Sequence, residues 1–120
     1  MKIGIIGAGK VGGALCKSLQ EAGVNVVGLT AGTEADTLAA AAKFQVKGFA
    51  SNEELTANSD VLFLTVPDRL VGAVASELAQ AFSNRSGAQS LQGKTFFHCS
   101  GSLGLEELQP LTELGAEIGS

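Results

Sequence analysis

The stretch MKIGIIGAGKVGGAL, residues 1–15, sets a short apolar run against four glycines. Residues 2–6, KIGII, read as a buried β-branched strand. From Lys10 to Ala22 the apolar residues Val11, Leu15, Leu19 and Ala22 recur at helical spacing, and Gly23 stands where a helix takes its C-terminal glycine. Gly7, Gly9, Gly12 and Gly13 therefore fill a strand-to-helix turn. In a GxGxxG turn the first glycine permits the tight bend and the second lets a pyrophosphate approach the backbone. The third lets the helix pack closely on the strand. Free amides at the helix start, from Lys10 through Val11 to Gly12, then point at the phosphates. Lys10 either reaches those phosphates or is a solvated helix-start lysine. Glycines alone also fit a bare turn, but a strand before, a helix after and a second strand beyond favour a dinucleotide.

The remaining sequence continues the alternation. Strands are expected at 24–29, 46–49, 60–66, 94–99 and 116–119, the 60–66 run being nearly continuous apolar and ended by Pro67. Helices are expected at 33–44, at 52–58 behind a Ser51/Glu54 capping box, and at 68–82 with Leu70, Val71, Val74, Leu78 and Phe82 on one side. A further helix at 103–114 carries Pro110, which predicts a break near Gln109, and residues 83–93 read as a polar loop. Strands alternating with helices specify an α/β fold, a doubly wound parallel sheet with right-handed crossovers. At 120 residues, 45% hydrophobic and 17% charged, the chain holds a single domain spanning 1–120.

Composition narrows the partners. The net charge of −4, with eight scattered Lys and Arg, offers no basic stripe for a nucleic-acid backbone. Cys16 and Cys99 lie far apart and there is one histidine, so no zinc spacing exists and no metal is expected. No apolar run approaches membrane-spanning length and no export signal opens the chain, so a cytoplasmic protein without a membrane partner is expected.

Cofactor choice turns on the end of the second strand, where an acid holds the ribose hydroxyls of NAD and a cation holds the 2′-phosphate of NADP. Thr30 stands there, followed by Ala31, Gly32, Thr33 and Glu34. Neither the acid nor the arginine is present. The hydroxyls of Thr30 and Thr33 either bond a phosphate or serve turn and N-cap roles. The balance leans slightly toward NADP.

The segments GIIGAGKVGGAL, LTVPDRLV and FFHCSGSLGLEELQPLTELGAEIGS together resemble the N-terminal domain of the Rossmann-like NAD(P)-dependent oxidoreductases whose C-terminal half is a helical domain of unknown function. That group is similar to pyrroline-5-carboxylate reductase, the 6-phosphogluconate dehydrogenase-like proteins and the deazaflavin-linked NADP reductases. The resemblance covers essentially the whole chain. It implies a Rossmann NAD(P)-binding fold, a nicotinamide dinucleotide as cofactor and a small-molecule substrate. It also implies a C-terminal helical substrate and dimerisation domain that these 120 residues do not include, with a homodimer in the full-length protein. Two departures stand out: Thr30-Ala31 replaces the Ser-Arg pair common in the group, and the chain ends before the His-Pro segment and helical domain.

The resemblance puts Val66, Pro67 and Asp68 along the nicotinamide-side ribose, with Asp68 also a candidate N-cap. It puts Ser100 and Gly101 at the neighbouring strand end, where the Ser100 hydroxyl is a candidate contact for a carboxamide or substrate oxygen. Catalytic residues are not fixed; Ser100 and His98 are the weak candidates. His98, inside the apolar run FFHC, fits a satisfied core histidine better than a proton donor. Cys99 is expected as a buried small hydrophobe. The leading function is the dinucleotide-binding domain of an oxidoreductase that transfers hydride to or from a small substrate, inactive by itself. The alternative is a non-catalytic NAD(P)-binding sensor or regulatory module.

Overall fold

A computed structural model of the chain describes residues 1–86, 90–100 and 103–120. Six strands, β1 (Ile3–Ile6), β2 (Val26–Thr30), β3 (Lys47–Gly48), β4 (Val61–Leu64), β5 (Thr95–His98) and β6 (Glu117–Gly119), form one sheet in the order β3-β2-β1-β4-β5-β6. Every neighbouring pair is parallel. The helices are α1 (Lys10–Glu21), α2 (Glu34–Phe44), α3 (Asn52–Ala57), α4 (Asp68–Ser86) and α5 (Gln109–Thr112). This is the doubly wound arrangement expected from the sequence, and its order reverses beside β1, between β2 and β4.

The pleat divides the core in two. Ile6, Leu62, Leu64 and Phe96 point to one face, where Val71, Leu78, Leu108 and Leu111 from α4, α5 and the preceding turn complete the larger cluster. Ile5 and Leu29 point the other way and pack with Cys16 of α1 in a smaller cluster. The rows Ile5, Phe63 and Phe97 share that second face through direct cross-strand register, and the two phenyl rings stack 5.3 Å apart. Among the described residues no helix is long and apolar enough to cross a membrane.

Helix ends follow local chemistry. Thr33 caps α2 by accepting from the Asp36 amide, and Ser51 caps α3 by accepting from the Glu54 amide. Gly23 closes α1 with φ of 79°, its amide bonding the Gln20 carbonyl while Val24 bonds that of Leu19. Three expectations change. The helix expected to end at 82 runs on to Ser86, its last turn held by Arg85, which lies 5.2 Å from the Phe82 ring and 3.4 Å from Glu53. The fourth strand stops at Leu64, so Thr65 and Val66 belong to the turn. The helix expected over 103–114 is a 3-10 turn, Glu106–Leu108, followed by α5, with Pro110 in the first turn of α5, where its missing N–H costs nothing.

Phe96 is fully buried at the centre of the larger cluster. Phe96→Ala is expected to lower unfolding free energy by about 3–5 kcal/mol, the range for a phenyl cavity. Urea denaturation of both proteins measures it.

Candidate functional site

The carboxyl ends of β1, β4 and β5 open into one groove of about 990 Å³. Its walls bring together the turn after β1 (Gly7, Gly9, Lys10, Val11), the turn after β4 (Val66, Pro67, Asp68) and the strand end at Cys99 and Ser100. Three segments far apart in sequence thus meet where the strand order reverses.

The glycine turn is held from both sides. On the β2 side the Thr30 carbonyl accepts from the amides of Gly7 at 3.1 Å and Ala8 at 2.8 Å. On the β4 side the Thr65 hydroxyl lies 2.8 Å from the Gly7 carbonyl and 3.0 Å from that of Ile6. Gly7 has φ of 84°, a conformation that suits glycine, and a Cβ there would also strike the Val66 side chain. A Cβ on Gly12 would collide with the Thr65 hydroxyl, so the missing side chain is what lets α1 start against the sheet. Gly9 differs: among the described residues nothing lies within 4 Å of where its Cβ would project. That empty space faces the groove.

Among the described residues no side chain caps α1, in contrast to α2 and α3. Helix geometry leaves the amides of Lys10, Val11 and Gly12 without intrahelical acceptors, and the positive end of the helix dipole adds to them. An open Gly9 beside an uncapped helix start is a fit for a diphosphate.

Other expected contacts sit elsewhere. Thr30 is buried, and its hydroxyl donates to Asn52 Oδ1 at 2.6 Å. Thr33 caps α2, and both threonines line a second cavity of about 520 Å³ that meets the first at Ala31 and Gly32. Neither threonine lines the main groove itself. Gly101 lies outside the described residues.

His98 is buried, 2.8 Å from the Gly104 carbonyl through Nε2, while Nδ1 accepts from the Ser100 amide at 3.2 Å. The ring is therefore the Nε2–H tautomer, and both nitrogens are engaged in holding the turn after β5. Ser100 lines the groove, and its hydroxyl accepts from the Leu103 amide at 3.2 Å. The expectation for Cys99 is corrected: the residue is exposed at the groove, because it follows the end of β5 and has left the buried ladder. Neighbouring atoms partly desolvate its sulfur and raise the thiol pKa above the ordinary value. Burial does the same to Cys16.

Sequence reading missed the roles of Thr65, Thr37 and Asn52. Thr37 Oγ1 accepts from the Ala31 amide at 2.9 Å and donates to the Thr33 carbonyl at 2.9 Å, which folds the turn between β2 and α2. A threonine closing an apolar strand is a weak signal for Thr65; Asn52 carries none, since its partner is 22 residues away.

Fold and groove together define a Rossmann-type α/β domain. The chain belongs to the Rossmann-like domain family, whose model matches residues 1–118. No curated protein matches it in sequence. Among solved structures it is similar to UDP-N-acetylglucosamine 3-dehydrogenase from Acidithiobacillus ferrooxidans, with 22% identity and a TM-score of 0.72 over 99% of this chain and 38% of that one. An NAD binding oxidoreductase from Klebsiella pneumoniae gives 21% identity and a TM-score of 0.71, covering 99% of this chain and 34% of that one. An imine reductase variant from Myxococcus stipitatus in complex with NAD+ gives 21% and 0.71, covering 98% and 38%. The chain thus spans little more than a third of the length of each of these proteins.

Thr65→Val removes the hydroxyl between two carbonyls and is expected to cost about 1–3 kcal/mol. Thr65→Ser keeps the donor and should recover most of that loss. Thermal and urea unfolding of the three proteins compare them.

Proposed function

We propose that this domain binds a nicotinamide dinucleotide, NAD(H) or NADP(H), for an oxidoreductase acting on a small molecule. The observation that carries the reading is the uncapped start of α1 beside an open Gly9, facing the groove at the strand reversal. The amides of Lys10, Val11 and Gly12 would hold the diphosphate, and Gly7 and Gly12 keep the backbone close enough to do so. When bound, the nicotinamide supplies hydride chemistry. Val66, Pro67 and Asp68 would border its ribose, and Ser100 and Gly101 would lie toward the reacting ring. Lys10, exposed beside the diphosphate position, would add a screened positive charge.

His98 contributes shape in this reading, since both ring nitrogens already bind backbone groups. Proton transfer to substrate then falls to groups beyond this groove. A helical domain of the kind implied by the family resemblance would supply them, together with the second wall of the substrate site and a dimer contact. The partial coverage of the longer structures is consistent with such an arrangement. Two free cysteines suit a reducing compartment, the cytoplasm.

Titration with NADH and NADPH, followed by nicotinamide fluorescence and calorimetry, tests the reading. Saturable binding is expected, without appreciable turnover of imines, ketones or 2-oxo acids by these 120 residues, because positioning from a second wall is missing. Gly9→Val is expected to keep the far-UV circular dichroism of the parent and to weaken binding by about a hundredfold or more, since its side chain enters the diphosphate space. A folded Gly9→Val protein with parental affinity would remove the glycine turn from the site.

A further inference from the structure

We infer that Asp36 sets cofactor choice, making this a site for NAD(H) in preference to NADP(H) by accepting the adenosine ribose hydroxyls. The inference rests on the dinucleotide reading and goes beyond it by naming the cofactor and the residue that selects it.

An acid at the end of β2 normally takes the ribose, and here that position is Thr30, whose hydroxyl is turned to Asn52. The carboxylate at the groove comes instead from the first turn of α2. Asp36 lines the groove with Gly9 and Gly32. Apart from residue 32 and its chain neighbours, its Oδ2 is the one described heavy atom within 4 Å of where a Cβ on Gly32 would lie, at 4.0 Å. The carboxylate therefore stands over the turn between β2 and α2, and glycine at 32 leaves the space below it open. The Thr33 hydroxyl fixes the residue by accepting from the Asp36 amide at 3.0 Å.

Ribose 2′- and 3′-hydroxyls are donors, and a carboxylate is an acceptor-only partner for both. A 2′-phosphate has no donor to offer and brings negative charge against the same group. The turn itself holds no cation, since residues 31–36 read AGTEAD, and Lys10, which also lines the groove, belongs to the start of α1. Lys43 also lines the groove, but it is seven residues on, about 10 Å along the helix axis. Its ammonium sits 5.5 Å from the centre of the Phe44 ring.

The test is titration of the parent chain, Asp36→Asn and Asp36→Arg with NADH and with NADPH. Asp36 is exposed, so both variants should stay folded, with only a small drop in unfolding temperature from losing a first-turn acid of α2. The parent is expected to bind NADH about tenfold or more tightly than NADPH. Asp36→Asn should bring the two affinities to within about threefold, and Asp36→Arg should favour NADPH. A parent that prefers NADPH, or a NADH/NADPH ratio that Asp36→Asn leaves unchanged, overturns the role of Asp36 while leaving the dinucleotide reading intact. A folded parent that binds neither nucleotide overturns the dinucleotide reading, and this inference with it.

Discussion

The close approach between residue 12 and Thr65 governs how everything else is placed. With no side chain at Gly12, the Thr65 hydroxyl can lie against α1 and reach the carbonyls of Ile6 and Gly7. One contact thereby fixes the starting point of α1, the path of the glycine turn and the separation of β1 from the loop after β4. The uncapped amides face the groove because the helix begins here and nowhere later. A larger residue at 12 would lift the helix from the sheet and redirect those amides. The direction of those amides thus rests on a steric fact in the layer beneath them.

The β2 side supplies the opposing restraint. Thr30 presents its carbonyl to the amides of Gly7 and Ala8, and its hydroxyl ties β2 to Asn52 at the start of α3. The glycine turn is therefore clamped between two threonines, Thr30 at the end of β2 and Thr65 in the turn just after β4. Both hold the turn in place: the Thr30 carbonyl and the Thr65 hydroxyl each bond its backbone. That division explains why the turn can remain short and still keep Gly7 in a left-handed conformation.

What could be read from the sequence follows the range of the interactions involved. The order of strands and helices was legible because burial writes itself into the chain, as a continuously buried β-branched run at 3–6 and as helical spacing over 10–21. The caps at Thr33 and Ser51 were legible because each bonds an amide three residues away. Gly7, Gly9 and Gly12 were legible as a strand-to-helix turn because their spacing is fixed within it. The pairing of Thr30 with Asn52, and of Thr65 with Gly7, lies across 22 and 58 residues, and nothing local encodes it. Cys99 was misjudged for a related reason: apolar neighbours in sequence suggested burial, but β5 ends one residue earlier and the chain turns out toward the groove. Pro110 was placed correctly at a break, although it opens α5 instead of bending a longer helix.

The opposite edge of the sheet has its own organisation. There the Asp60 carboxylate accepts from the Lys2 amide at 2.8 Å, and the Asp60 and Val61 amides both return to the Lys2 carbonyl. Thr95 bonds the Asp60 carbonyl, and the Lys94 ammonium reaches the Ser59 carbonyl at 2.6 Å, with Glu117 joined to Lys94 through the backbone. Desolvation lowers the Lys94 pKa, and the nearby Asp60 charge acts against that shift. The amino-terminal ends of β1, β4, β5 and β6 are thus laced together at a distance of a full strand from the groove. The domain is in effect a chassis with a fixed underside and an exchangeable mouth. Strand alignment is kept from below, so in an engineered domain the parts of the mouth beyond the Gly12–Thr65 contact are the region to diversify.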